Sequence, residues 1–189
     1  MMRKRLILSF LVCLFLLASC RRAEVFDTDK EMFVRAKDFA EYGFSIQNAE
    51  KYESFEKINL FDGSQQIEYE FETPENESAN SLYLIETVTI DTNQSDAKMS
   101  KGVEDTGISI GLKIGGIEKE EVKDFYKYGD SSNFYALKKD GKKVGNYFST
   151  RHGKNTFSLF IVGLYVDDVE TWREIVEPRL KKFSAYKPK

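Results

Sequence analysis

The sequence predicts an α+β domain in which a central antiparallel sheet carries helices on both faces. Three observations lead there. In one segment Ile67, Tyr69 and Phe71 alternate with Glu68, Glu70 and Glu72, the period of a strand with one face in the core and one in water. Asp140 and Gly141 join two further β-like segments in the manner of a two-residue hairpin. Segments with a helical period lie before, between and after these strands.

In chain order, Phe33, Ala36, Phe39 and Ala40 fall at helical spacing and Gly43 is a natural stop, which predicts a helix over Asp29 to Tyr42. Phe44 to Phe61 reads as a strand with turns, closed at Asp62 and Gly63. The alternating strand follows, then a loop from Thr73 to Ser81 and a strand from Leu82 to Ile90. The polar stretch Asp91 to Lys101 leads into an amphipathic helix whose stripe is Val103, Gly107, Ile110 and Ile114. Its glycines 102, 107 and 111 each weaken it by about 1 kcal/mol relative to alanine, so close packing against the sheet is expected to compensate. Strands are predicted at Val122 to Tyr128, Asn133 to Lys139 and Lys142 to Arg151, with a turn over His152 to Asn155. Phe157 to Val166 is apolar at eight of ten positions, the mark of a strand covered on both sides. The last helix has Asp167 or Asp168 as N-cap, with Glu170 suited to a capping box. Val169, Trp172, Val176, Leu180 and Phe183 form its buried stripe, and Pro178 inside it should kink or weaken it.

The amino terminus carries a different signal. Arg3, Lys4 and Arg5 precede an uncharged run from Leu6 to Ser19, the n-region and h-region of a secretory signal peptide. The run is shorter than the roughly 20 residues of a transmembrane helix. It ends in Leu17, Ala18, Ser19 and Cys20, which resembles the bacterial lipobox. An ordinary signal peptide with an incidental Cys20 is the alternative. The resemblance implies removal of residues 1–19, a lipid on Cys20, a tether over 20–28 and one domain over 29–189. It also implies a cell-envelope location. Arginine after the cysteine, where aspartate would favour inner-membrane retention, points to the outer membrane, facing the periplasm or the surface, in a cell that has two membranes.

Without residues 1–19 the chain has 170 residues, enough for one domain with a sizeable core. It then holds 25 basic and 31 acidic residues, a net charge of −6, which is not the footprint of a nucleic-acid binder. The two cysteines are Cys13, inside the signal, and Cys20, so a lipidated chain keeps no thiol for a disulfide or a cysteine metal site. No cofactor motif appears: Gly111 to Gly116 lacks the lysine and serine or threonine of a phosphate loop.

The middle helix, the meander, and Gly145 to Tyr186 with its apolar strand and capped helix are similar to the PsbP-like α/β/α sandwich, found also in a Ran-binding nuclear import factor and in DcrB-type lipoproteins. The similarity spans residues 40–186 and rests on element order. It implies a binding or adaptor module and carries no active-site residues with it.

Five residues of the domain are binding candidates. Glu86 shares its strand face with Leu82, Leu84, Val88 and Ile90, so its carboxyl is expected among apolar neighbours with a raised pKa, as at functional sites. A bulge that turns it outward, or a lysine or arginine partner, is the structural alternative. Lys138, Lys139, Lys142 and Lys143 cluster at a hairpin tip, where they meet an acidic partner or anionic headgroups, or merely protect the hairpin from edge pairing. The Glu68, Glu70 and Glu72 ridge reads as a solvated face or a surface for a cationic partner. His152 is the only histidine and stands in a turn without an evident partner, so neither a general base nor a histidine metal site is expected.

These features favour a membrane-tethered, non-enzymatic binding or assembly module with an envelope protein as partner. An envelope hydrolase using Glu86, and an immunity or inhibitor lipoprotein, are the alternatives. Cys20→Ser is expected to move the protein from the membrane pellet to the soluble fraction while its circular dichroism stays the same; a variant still in the pellet would refute lipid anchoring.

Overall fold

A computed structural model describes residues 21–44, 48–73 and 81–188; Leu17 to Cys20, which resemble a lipobox, and residues 74–80, expected as part of a loop, lie outside them. The strands are β1 (Arg21–Arg22), β2 (Glu53–Asn59), β3 (Gln65–Glu72), β4 (Tyr83–Ile90), β5 (Glu118–Glu121), β6 (Ser131–Lys139), β7 (Lys142–His152) and β8 (Asn155–Val162). The helices are α1 (Asp27–Lys30), α2 (Gln94–Ile114) and α3 (Val169–Ala185), with 3-10 turns at Ala36–Tyr42 and Ala49–Lys51. All eight strands form one antiparallel sheet in the order β1-β2-β3-β4-β8-β7-β6-β5, an α+β architecture. After β4 the chain crosses along α2 to the far edge, and β5, β6 and β7 return inward until β8 fills the gap beside β4. The most apolar strand of the sequence therefore occupies a central place, and seven of its eight residues are buried.

Two apolar clusters hold the sheet. The larger combines Phe157, Leu159 and Ile161 of β8 with Ile67, Tyr69 and Phe71 of β3, with Met32 to Phe44, and with Trp172, Val176, Leu180 and Phe183 of α3. The smaller combines Phe160 of β8 with Tyr147, Leu137 and Leu112 of α2. Of the predicted α3 stripe Trp172, Val176, Leu180 and Phe183 are buried and Val169 partly so, with Ile175 joining them; Asp168 is the N-cap, accepting from Thr171 N–H at 2.7 Å. Glu170 completes no capping box there; it pairs with Arg173. The helix runs through Pro178 to Ala185. Asp140 and Gly141 take positive φ angles of 52° and 76°, which suits the two-residue hairpin.

Three expectations fail for physical reasons. The helix over Asp29 to Tyr42 is split into α1 and a 3-10 turn, because the N–H groups of Val34, Arg35 and Ala36 bond to Glu86, Asp38 and Tyr69 side chains instead of to the preceding turn. The strand over Val122 to Tyr128 is an irregular stretch, and the strand lies earlier, at β5. Asp124 and Gly129 have positive φ, and a Cβ on Gly129 would meet the Arg151 carbonyl oxygen at 2.3 Å. The apolar character of this stretch serves the core, where Val122, Phe125, Tyr126 and Tyr128 pack. The third correction concerns α2. It starts at Gln94, where the Asn93 side chain accepts from Ser95 and Asp96 N–H, so the polar stretch belongs to the helix. Its predicted stripe faces outward: Val103 is 67% exposed, Ile114 52% and Ile110 44%. Ala97, Lys101, Gly111 and Leu112 are the buried positions. A Cβ on Gly102 or Gly107 would meet nothing within 4 Å, so neither glycine packs closely.

The segment expected as a tether carries β1, whose Arg21 and Arg22 pair with Asn59 and Ile58. Just beyond it a buried ion pair ties three elements: Lys57 Nζ of β2 lies 3.0 Å from Asp29 Oδ2, and Tyr186 after α3 donates to Asp29 Oδ1. Burial opposes the charge of Asp29, but the bonds from Tyr186, the Phe26 backbone and Lys57 outweigh it and hold the carboxyl below its usual range. A depressed carboxyl stabilises the fold above its unfolded pKa of 3.8, and this stability is lost as pH falls through the folded value. Asp29→Asn leaves Lys57 buried without its counter-charge and is expected to cost about 3–5 kcal/mol. Urea unfolding at pH 7 measures the loss, and the gap from wild type should narrow at pH 3.

Candidate functional site

Glu86 sits in an unbulged part of β4, paired with Tyr69 on one side and Leu159 on the other. Its side chain is fully buried and the strand keeps its register, so no bulge turns it outward, and among the described residues no lysine or arginine forms an ion pair with the carboxyl. Oε2 accepts the Val34 N–H at 3.0 Å, and Oε1 has no partner. Burial drives the pKa of Glu86 well up; the nearby Asp38 adds to this, while the Val34 bond, Arg179 and Arg35 oppose it. A ring of polar contacts surrounds the same strap. Tyr69 OH accepts from Ala36 N–H and donates to Glu53 at 3.1 Å. Arg35 forks onto Glu53 and lies over the Phe55 ring, and Arg179 of α3 holds Asp38. Glu86 thus fastens the strap of residues 34–38 to the sheet. Two clefts among the described residues, of about 280 and 210 Å³, are lined by residues within 121–134 and by residues of the 3-10 turn and α3; neither is lined by Glu86 or His152.

Under α2 lies a second concentration of titratable groups. Strand register aligns Glu56, Glu68, Thr87, Ser158, Ser149 and Asn133 in one polar row across six strands. The inward face of α2 meets this row with polar side chains. Asp105 accepts from Tyr147 OH at 2.7 Å, Lys101 Nζ at 2.9 Å and Asn133 Nδ2 at 3.0 Å. Glu104 accepts from Ser158 Oγ. Burial pushes the Glu104 carboxyl up to about 7, helped by the Asp105 charge. Burial likewise pushes Glu68 up to about 7, helped by Glu70 and Glu56. Asp105 stays below its usual value, because the bonds from Tyr147 and Lys101 outweigh its burial. The expected acidic ridge is therefore graded: Glu72 is exposed, Glu70 takes the Tyr83 hydroxyl, and Glu68 lies half-buried beside Glu104. Strand alternation revealed the row of glutamates, but no local signal placed Lys101, Glu104 and Asp105 on the buried side of α2.

The lysine cluster sits at the β6–β7 tip as expected. Lys138 pairs with Glu120, and Lys143 donates to Tyr165 OH at 2.9 Å; Lys139 and Lys142 are exposed. Arg21, Asn59, Gln65, Ile90, Asn155 and His152 form one row at the opposite end of the sheet. His152 is exposed there, its ring 6.5 Å from that of Tyr128. Among the described residues no three His, Cys, Asp or Glu side chains are grouped to hold a metal ion, and no helix is long and apolar enough to cross a membrane. No family model, curated protein or solved structure matches the chain.

Glu86 generates a pH signature. An acid whose folded pKa is raised contributes stability that is complete below its unfolded pKa of 4.5 and is lost as pH rises through the folded value. Glu86→Gln keeps the acceptor for Val34 without a titrating proton, so its melting temperature is expected to exceed that of wild type increasingly from pH 5 to pH 8. Glu86→Leu leaves the buried Val34 N–H unpaired and should cost about 1–3 kcal/mol throughout that range.

Proposed function

We propose that this chain is a lipid-anchored module of a bacterial cell envelope that works by binding an envelope protein. The observation that carries this reading is the position of the chain's entry into the sheet. Arg21, one peptide bond after Cys20, is already paired with Asn59, so a lipid on Cys20 would hold one end of the sheet against the bilayer. The Lys138 to Lys143 tip lies past the other end of strands eight residues long, about 26 Å away. On this reading the tip meets an acidic partner and not the headgroups around the anchor. An outer-membrane location, facing the periplasm or the surface, belongs to the same proposal for a cell with two membranes.

The reading includes a layered architecture of PsbP-like type, with helices on both faces of the sheet. Its support is the division of β8, whose Phe157, Leu159 and Ile161 share a cluster with α3 while the intervening Phe160 shares one with α2. Binding is favoured over hydrolysis because Glu86 is fully buried, bonded to a backbone N–H and part of the lining of neither cleft.

A photo-crosslinking residue at position 142 tests the proposal in the native host. It is expected to trap one envelope protein when the chain is anchored and none when the chain carries Cys20→Ser. A purified protein that turns over a substrate, and loses this activity but not its fold with Glu86→Gln, would establish the hydrolase instead.

A further inference from the structure

Six large apolar side chains stand exposed among the described residues, and four of them, Met99, Val103, Ile110 and Ile114, lie on α2. At about 100° per residue they fall within a sector of about 60°, and they extend over about 22 Å of helix. The opposite face carries Lys101, Glu104 and Asp105 into the sheet beside Ala97, Ile108 and Leu112, so the inward face is mixed while the outward stripe is apolar. Scattered exposed apolar residues need no explanation, but a continuous stripe that excludes the inward positions does. Gly102, Thr106 and Gly107 keep the middle of this face low, and both glycines have open space around them. A second helix could approach closely there.

The charges around the stripe select its occupant. Every acidic residue of α2 is engaged elsewhere: Asp96 with Thr92 and Asn93, Glu104 with Ser158, and Asp105 with Lys101, Tyr147 and Asn133. Of the charges flanking the stripe, Lys98 beside Met99 and Lys113 beside Ile114 are exposed and make no ion pair among the described residues, whereas Asp96, which shares the angular position of Ile114, is held in the N-terminal turn by Thr92 and Asn93. On the helical wheel both lie on the Asp105 side, which bonds to β6 and β7, and not on the Glu104 side towards β3 and its glutamates.

We infer that the outward face of α2 is the docking surface for an amphipathic helix of a partner protein, with apolar residues along its ridge and carboxylates near both ends of one flank. This adds a second surface to the binding-module reading above, which places a partner at the lysine tip, and it rests on that reading. A second copy fits less well. Antiparallel pairing about Thr106 and Gly107 would match Met99 with Ile114 and Val103 with Ile110, but it would bring each Lys98 close to a Lys113. A bilayer fits less well too, because α2 starts beside Ile90, in the row that contains Arg21, and runs away from that end of the sheet.

The test uses the Cys20→Ser protein purified without detergent, titrated with a Leu/Glu amphipathic helical peptide and with its Leu/Lys counterpart. The Leu/Glu peptide is expected to bind, and Met99→Ser combined with Ile110→Ser to weaken it about tenfold or more. Lys98→Glu combined with Lys113→Glu should reverse the preference between the two peptides. All these positions are exposed, and circular dichroism checks that each variant folds. Equal binding of both peptides, or unchanged binding by the serine variant, would overturn the inference. So would a dimer that the serine variant dissociates, or binding of wild type but not the serine variant to vesicles of phosphatidylglycerol and phosphatidylcholine. The peptide titration contains no bilayer, so it fails independently of the membrane fractionation that tests the anchor.

Discussion

The hydrogen bond from Val34 N–H to the buried Glu86 carboxyl decides how the N-terminal strap meets the sheet. A backbone N–H buried without a partner costs as much as a lost hydrogen bond, so once Phe33 and Phe39 enter the core the intervening amides need acceptors. Glu86, Tyr69 and Asp38 supply them, and the helix that the spacing of Phe33, Ala36 and Phe39 suggests gives way to a strap. The same strap brings Arg35 to Glu53 and Asp38 to Arg179, which links β2, the 3-10 turn and α3. A carboxyl in the centre of a sheet, which invites a catalytic interpretation, here serves as a fastening.

On α2 the polarity is reversed because of what lies beneath it. Where the helix crosses the sheet it meets a row of Ser, Thr, Asn and Glu side chains, and apolar residues facing that row would leave those groups without partners. Glu104 instead accepts from Ser158, and Asp105 gathers Lys101, Tyr147 and Asn133. In its C-terminal half, at Ile108 and Leu112, the helix joins an apolar cluster. An apolar stripe of the kind that ordinarily holds a helix down is left on the outside.

The local features of the fold were legible wherever the determinant lies within a few residues. The alternation of β3, the Asp140–Gly141 turn, the apolar run of β8 and the α3 stripe all depend on periods set by backbone geometry. The burial of Glu86 was legible for the same reason, since its neighbours two residues away on β4 are apolar. Its acceptor role was not, because Val34 is 52 residues distant in the chain. The stretch from Val122 to Tyr128 misled because aromatic composition reports burial, and burial does not require a strand.

By itself the sequence determined which side chains share a face of each strand and where the two-residue hairpin turns. Only the tertiary structure decided which face of α2 turns inward, that Glu86 secures a strap, and that the lysine tip and the entry at Arg21 lie at opposite ends of the sheet. The first group follows from the fixed periods of helix and strand. The second depends on which groups meet across space, and an amphipathic helix read alone shows two faces without showing which of them the sheet can satisfy.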